Sequence, residues 1–163
     1  MRPLSHRPLD ICLLAFFSIS VLYGLLFNIA EGLGVPVAPD SPWPPLQWLH
    51  AWAVAEEPAH LNPPPNLMAA IWFDAFFATP ALMFIMYGLV RQRSWVKNLV
   101  LIYAGAAVTN MFFYFTQTFL GDDPPPNTTY YLIFNLPWMI VPMILACRVL
   151  LGKDLIFDRP LDQ

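Results

Sequence analysis

One carboxylate stands inside an apolar segment of the chain. Asp74 is the single charged residue between about residues 67 and 90. An ionised carboxylate in the middle of a bilayer costs at least about 2.5–3.5 kcal/mol, so it has to face protein, water or a ligand. A structural carboxyl that hydrogen-bonds Asn28 or Asn110 is one interpretation. Because ionisable groups inside membranes usually mark functional sites, we favour a role in ligand chemistry.

Further carboxylates lie near the ends of the same region. Glu31 ends the first apolar segment, and Glu56 and Glu57 lie in the loop that follows. If they converge near Asp74 and are shielded from water, they would hold a proton near neutral pH. Such a group suits either proton transfer or capture of a cation. For Glu56 and Glu57 alone, a solvated loop surface is the better interpretation.

The last apolar segment carries an amide, a large aromatic ring and two prolines. Asn135 and Trp138 are three residues apart, so a helix presents them on one face. Pro137 and Pro142 each free a backbone carbonyl, which membrane helices tolerate where a cavity or a partner takes it up. The pair favours a pocket lined by an amide and a π surface. A packed core with one bridging Asn explains the same residues equally well.

The composition places these residues in a membrane protein. Of 163 residues 58% are apolar and 12% are charged, against about 45–50% and 25% in soluble domains. We predict one all-α domain, residues 1–163, with membrane spans at about 11–31, 67–90, 98–120 and 130–150. A signal peptide at the first segment is disfavoured, because the segment is long and no cleavage site follows it.

Charge and cysteine content exclude several classes of protein. With eight Lys and Arg and a net charge of -3, the chain has no basic surface for nucleic acid. Cys12 and Cys147 fall within apolar runs and are interpreted as small core residues. The histidines have no familiar metal-ligand spacing, so neither a metal nor another cofactor is expected.

The basic residues predict the orientation in the membrane. All of them flank the spans on one side: Arg2, Arg7, Arg91, Arg93, Lys97, Arg148, Lys153 and Arg159. The other two loops, residues 30–66 and 121–129, have none. We therefore expect both termini on the cytoplasmic side and the long loop on the lumenal side.

The long loop is proline-rich but not polar. Apolar residues with helical spacing, including Trp48 and Trp52, stand between its proline clusters. They predict a short helix, which serves as an interfacial anchor, as part of a binding site, or as both. A loop stiffened by proline that closes the mouth of the bundle satisfies both interpretations. We call this loop the lid.

Two parts of the chain resemble a known family. Residues 48–74, with the Glu57-Pro58 step and the Pro63-Pro64 pair, resemble the sigma-2 receptor branch of the EXPERA domain superfamily. Residues 135–142, which read NLPWMIVP, and residues 30–32, which read AEG, resemble the emopamil-binding-protein branch, the sterol Δ8-Δ7 isomerases. The resemblance covers most of the chain.

The resemblance implies a multi-pass protein of the endoplasmic reticulum. It implies a pocket that opens toward the bilayer and takes sterols, terpenoid-like lipids and cationic amphiphilic compounds, in a chain that pairs as a homodimer. In the isomerase branch, four side chains act on the substrate, and they correspond here to Glu31, Asp74, Asn135 and Trp138.

The expected ligand-binding residues extend this set. The expected ligand-binding residues are Asn28, Glu57, Phe77, Asn110 and, for a second role, Trp138. The sequence departs from the isomerases at Phe27, where they carry a histidine one helical turn before the glutamate.

Two functions are therefore expected for one fold. The first is a double-bond isomerase, in which a carboxylic acid protonates an alkene, a tryptophan face stabilises the carbocation and a base removes a neighbouring proton. The alternative is a non-catalytic protein, like the sigma-2 receptor, that binds, senses or carries a sterol. A purely structural subunit leaves Asp74 unexplained.

Overall fold

Four long helices and a helical lid form the molecule, which is described here from a computed structural model covering residues 4–121 and 124–151. The long helices are α1 (Pro8–Gly32), α3 (Pro65–Arg91), α4 (Val96–Leu120) and α5 (Thr128–Leu150), each long and apolar enough to cross a membrane. In the structure the lid is shorter than the loop predicted at residues 30–66: it comprises residues 33–64 and contains α2 (Pro44–Glu56) and a 3₁₀ turn (Pro58–Leu61). The prediction of a multi-pass, all-helical membrane protein with four spans is confirmed. Three basic residues used for the orientation, Arg2, Lys153 and Arg159, lie outside the described residues.

Local sequence signals explain where several helices begin and end. The side-chain oxygen of Asn127 accepts a hydrogen bond from the backbone N–H of Tyr130 at 3.0 Å and caps the start of α5. Gln92, in the left-handed conformation at φ 53°, ends α3. Pro44 and Pro65 stand in the first turns of α2 and α3, where a missing N–H costs nothing.

The helices pack more closely at one end than at the other. At the end away from the lid, small and branched side chains of α1, α3, α4 and α5 form the main core, around Phe17, Ile85 and Val100. At the lid end a smaller cluster joins Ala59 of the lid to Leu67 and Ile71 of α3. The four helices therefore enclose a space between the main core and the lid.

Cys12 and Cys147 are exposed on the outer surface of the bundle, so their interpretation as core residues is wrong. Lipid tails are as apolar as a protein core. An apolar segment in a membrane protein therefore does not reveal which of its residues point inward.

A buried ion cluster ties three helices together at the end away from the lid. Asp10, fully buried in α1, binds the guanidinium groups of Arg7 and of Arg148 in α5. Arg7 also donates to the backbone carbonyl of Leu89 in α3 at 2.7 Å. Inside the apolar bundle one carboxylate thus pairs with both guanidinium groups, and a backbone carbonyl accepts from one of them.

Tryptophan side chains close the other end of α1. The indole N–H of Trp43, in the lid, donates to the carbonyl of Leu26 at 2.6 Å. The indole N–H of Trp72, in α3, donates to the carbonyl of Gly32 at 2.8 Å. The end of α1 is therefore bonded by groups from two other parts of the chain.

Two π-helical turns lie side by side in the helices that line the enclosed space. They are Gly24–Asn28 in α1 and Asp74–Ala78 in α3, and they contact each other. A π turn bonds residue i to i+5 and so rotates the side chains that follow it, a device common at functional sites. The Thr79 hydroxyl donates to the Asp74 carbonyl at 2.7 Å and fills the space beside Gly24.

Gly24→Ala should destabilise the protein by about 1–3 kcal/mol, because the added methyl group would overlap the Thr79 side chain and push α1 from α3. Reversible unfolding in mixed micelles measures the effect. Gly105→Ala is the matched control, since no atom of the described residues outside its own stretch of helix lies within 4 Å of the added carbon. Equal stabilities for the two variants would contradict this account of the contact.

Asp10→Ala should cost about 3–5 kcal/mol in the same unfolding assay, because it removes the carboxylate that two buried arginines bind. Arg91→Ala, an exposed charge at the end of α3, should change stability by less than about 0.5 kcal/mol. If Asp10→Ala were as stable as the unchanged protein, the ion cluster would not hold the helices together.

Candidate functional site

A cavity of about 880 Å³, including its open mouth, lies between the long helices and the lid. Most of its wall is apolar or aromatic, with Tyr23 from α1, Trp52 from the lid, and Phe134 and Trp138 from α5. The wall suits a flat, apolar ligand that meets a few polar groups.

Asp74 begins the π turn of α3 and lines the cavity. The side-chain amide of Asn110, in α4, lies 3.5 Å from its Oδ1 and donates toward it. Asn110 also lines the cavity. The carboxyl of Asp74 is thus anchored on one oxygen and available to a ligand.

A second group of polar side chains joins the lid to α1 and α4. His60 Nδ1 lies 3.2 Å from Glu31 Oε1, and His60 Nε2 lies 3.4 Å from the Tyr114 hydroxyl. Tyr114 in turn donates to Glu57 Oε1. Glu31, Glu57 and His60 are all buried, with 3%, 3% and 5% of their surface exposed. These contacts form a continuous series of hydrogen bonds between side chains of the lid, α1 and α4, which we call the lid chain.

Asn135 and Trp138 line the cavity from one face of α5, which continues through Pro137 and Pro142. The Asn135 amide donates to the carbonyl of Tyr131 at 3.1 Å. The ring of Trp138 packs against Phe16 of α1, with centroids 4.9 Å apart. The amide and the indole expected on one wall are therefore both placed there.

Six of the eight residues singled out from the sequence line this cavity: Asn28, Glu57, Asp74, Asn110, Asn135 and Trp138. Glu31 stands behind the wall. His60 lies between Glu31 and Tyr114, since one ring nitrogen contacts the Glu31 carboxyl and the other contacts the Tyr114 hydroxyl. Phe77 lies elsewhere, because it packs against Phe73 and the main core. The π turn Asp74–Ala78 includes Phe77, so the regular helical spacing from Asp74 does not apply to it.

Sequence reasoning missed His60 and Tyr114, and it missed Tyr23 on the cavity wall. The signal for His60 was its position three residues after Glu57 in a short proline-bounded turn. Nothing in the sequence of α4 distinguished Tyr114 from its aromatic neighbours. Phe27 packs against Tyr23, and the imidazole that bonds Glu31 comes from the lid.

Within residues 4–121 and 124–151, no three His, Cys, Asp or Glu side chains are grouped so that they could hold a metal ion.

Residues 51–149, more than half of the chain, match the family model of EXPERA, the expanded EBP superfamily. The chain belongs to the EXPERA superfamily. The matched region contains the cavity residues of the lid, α3, α4 and α5, whereas Asn28 and Glu31 precede it. Searches of curated proteins and of solved structures gave no match to this EXPERA chain.

Burial and neighbouring charges shift the pKa values of two lid side chains, Glu57 and His60. Burial raises the pKa of Glu57 to about 7, the positive charge of His60 opposes this rise, and the negative charge of Glu31 adds to it. For His60, burial lowers the pKa, but its hydrogen bond to Glu31 and the charges of Glu31, Glu57 and Asp74 outweigh burial and raise it. Glu57 therefore exchanges a proton near neutral pH.

These shifts predict how stability varies with pH. Glu57 binds its proton more tightly in the folded protein than in the unfolded chain, where its pKa is near the ordinary value of 4.5. The resulting stabilisation is complete below that value and is lost as the pH rises through about 7. His60 acts in the same direction, so its contribution is also lost as the pH rises through its raised pKa.

The melting temperature in detergent should therefore fall as the pH rises from about 5 to about 8, and Glu57→Gln should flatten the fall, because glutamine does not titrate. Glu56→Gln removes the same charge one residue earlier and should leave the slope unchanged. An unaltered slope in Glu57→Gln would show that burial of Glu57 does not control its titration.

Proposed function

We propose that this EXPERA protein binds a sterol- or terpenoid-like lipid within the membrane and moves one of its double bonds. The observation that carries the proposal is that two carboxyl groups from different elements, Asp74 of α3 and Glu57 of the lid, line one largely apolar cavity together with Trp138. The resemblance to the sterol isomerases at Glu31, Asn135 and Trp138 supports the same activity. The superfamily match is compatible with it.

The reaction needs one acid and one base and transfers no electrons to or from the lipid. The acid gives its proton to one alkene carbon, and the π electrons form the new C–H bond, which leaves a carbocation on the adjacent carbon. The base then removes a proton from a neighbouring carbon, and the electrons of that C–H bond form the shifted double bond. General acid and base catalysis of this kind accelerates reactions by about 10²–10⁴ per group.

We assign one task to each residue. Glu57, with a pKa of about 7, holds a proton for part of the time at neutral pH and serves as the acid. Asp74, held by Asn110, serves as the base. The face of Trp138 stabilises the cationic intermediate, and the largely apolar wall of the cavity limits the access of the water that would capture it.

Cationic amphiphilic compounds should compete with the lipid for this cavity. An ammonium group on an apolar skeleton resembles the carbocation, and groups arranged to stabilise that intermediate bind such a mimic tightly. We place the protein in the endoplasmic reticulum on the resemblance to the isomerase and sigma-2 receptor branches.

A non-catalytic lipid-binding protein is the second candidate. It is favoured by Phe27, which stands where the isomerases carry a histidine, and by the lid, whose buried carboxylates already have partners in His60 and Tyr114. Such a protein would hold the same ligand without changing it.

Purified protein in lipid nanodiscs should convert a Δ8-sterol to the Δ7 isomer, and Asp74→Asn should lower the turnover number by about 10²–10⁴, because it removes the base. Sterol affinity should be retained, since the amide keeps the shape of the side chain. Asp40→Asn, an exposed carboxylate of the lid, is the charge-matched control and should turn over normally. If the unchanged protein binds the sterol but forms no Δ7 product, the proposed isomerase activity is wrong and the second candidate is favoured.

A further inference from the structure

Three hydroxyl groups lie at the end of the cavity that is farthest from the lid. They belong to Ser20 of α1, Thr79 of α3 and Tyr103 of α4, and all three side chains line the cavity. All three are buried, and Tyr103 has only 4% of its surface exposed. Tyr103 also belongs to the main core, where its ring packs edge-on against Phe17. We call this end of the cavity the floor.

The three hydroxyls differ in whether their hydrogen is already used. Ser20 donates its hydrogen to the carbonyl of Phe16 at 3.0 Å, and Thr79 donates to the carbonyl of Asp74 at 2.7 Å. Since a hydroxyl has one hydrogen, both oxygens are left as acceptors.

The Tyr103 hydroxyl is different, because it has no hydrogen-bond partner among the described residues. A buried phenol in a native protein normally has one. Its hydrogen is therefore available to whatever occupies the cavity. The floor offers one donor and two acceptors to a ligand.

We propose that the floor binds the free hydroxyl group of a lipid alcohol, which therefore lies with its hydroxyl end away from the lid. The ligand oxygen accepts the hydrogen of Tyr103, and the ligand hydrogen is donated to the oxygen of Ser20 or Thr79. The inference deepens the proposed function and rests on it, since the lipid is taken to be sterol- or terpenoid-like.

The charges of the cavity wall explain why the floor takes an uncharged group. The carboxyl and imidazole groups of the wall belong to Glu57 and His60 of the lid and to Asp74, which is nearer to the lid than Thr79 is. Apart from its hydroxyls the floor is apolar, with Ala78 and Leu82 beside them. A cationic group is attracted to the carboxyls, whereas a neutral group that both donates and accepts is satisfied by the floor.

The length of the cavity fits a ligand in this orientation. Its wall on α3 runs from Leu67 to Leu82, which is 15 residues or about 22 Å of helix. Asp74 lies between them, and Thr79 follows it by five residues, about 7 Å further along the axis. A flat ring system with its hydroxyl on the first ring and its double bond on the next one can therefore reach both groups at once.

The floor then determines which carbon atoms of the ligand face the base. A hydroxyl held at the closed end fixes how far the ring system slides along α3, and so fixes the position of its double bond beside Asp74. Such positioning matters because a small displacement of the reacting atoms slows catalysis strongly. An ester or a hydrocarbon at the same carbon has no hydrogen to donate to the floor.

The binding test compares a Δ8-sterol with its 3-deoxy analogue, both in the same nanodiscs, with empty nanodiscs correcting for partition into the bilayer. The protein should prefer the alcohol by about 10-fold, the loss expected when one buried hydrogen bond is not made. Tyr103→Phe keeps the ring and removes the donor, so it should reduce the preference to less than about twofold. An unchanged preference in Tyr103→Phe would overturn the proposal.

Tyr131→Phe is the matched control. Tyr131 is equally buried, its hydroxyl pairs with Thr118 at 2.8 Å, and it does not line the cavity. This variant should keep the preference for the alcohol. If it loses the preference as Tyr103→Phe does, repacking and not the floor hydroxyl is responsible, and the proposal is wrong.

Tyr23→Phe tests the other position for the ligand hydroxyl. Tyr23 also lines the cavity with an unpartnered phenol, but it stands between the rings of Phe27 and Trp138, nearer to the lid than Ser20 is. If Tyr23→Phe removes the preference for the alcohol and Tyr103→Phe does not, the hydroxyl is bound beside the carboxyls and the floor is wrong.

Photolabelling of the unchanged protein tests the orientation without any variant. A Δ8-sterol with a diazirine at the end of its side chain should label residues near the lid, such as Trp52, Leu67 and Phe134, which line that end of the cavity. Mass spectrometry of the labelled peptides locates the site. Labelling of the peptide that contains Tyr103 would mean the opposite orientation and would overturn the proposal.

The two proposals can fail separately. If the alcohol is preferred through Tyr103 but no Δ7 product forms, the floor is supported and the isomerase activity is wrong. If the alcohol and the deoxy analogue are isomerised with equal kcat/KM, the activity is supported and the floor is wrong. If neither compound binds, both proposals are wrong.

Discussion

A polar group inside an apolar bundle has to find its partner within the chain, and this requirement organises the whole molecule. Hydrocarbon offers no hydrogen bonds, so an unpaired carboxylate there costs several kcal/mol. Asp10 binds two arginines, Asp74 meets Asn110, and Glu31 meets His60. The bonds of Asp10 to Arg148 and of Asp74 to Asn110 join different helices, and the bond of Glu31 to His60 joins a helix to the lid. The same contacts that satisfy the acids therefore fix how the elements sit around the cavity.

Much of the fold could be predicted from the sequence because the membrane imposes a simple rule. A run of about 20 apolar residues is needed to cross hydrocarbon, and the chain has four such runs. The short lid helix was also indicated, by tryptophans between prolines. It was harder to predict which face of each helix points to the core and which to the lipid, since lipid and core are equally apolar. That is why Cys12 and Cys147 were assigned to the core although they are exposed.

The candidate site could be predicted only where a residue was conspicuous within its own segment. Asp74 stood out because its span has no other charge, and Asn135 and Trp138 stood out through their spacing. His60 did not, since its importance comes from a contact with Glu31 that is 29 residues away in sequence. Phe77 was misplaced because a π turn, which has no clear sequence signature, changes the direction of the side chains after Asp74.

The bond between the Trp43 indole and the Leu26 carbonyl has a consequence for how the cavity can open. The lid donates a hydrogen to a carbonyl in the middle of the π turn of the first long helix. Lifting the lid would break this bond, and hydrocarbon offers the indole N–H no other acceptor. Movement of the lid is therefore coupled to the hydrogen bonding of the helix that helps to enclose the cavity.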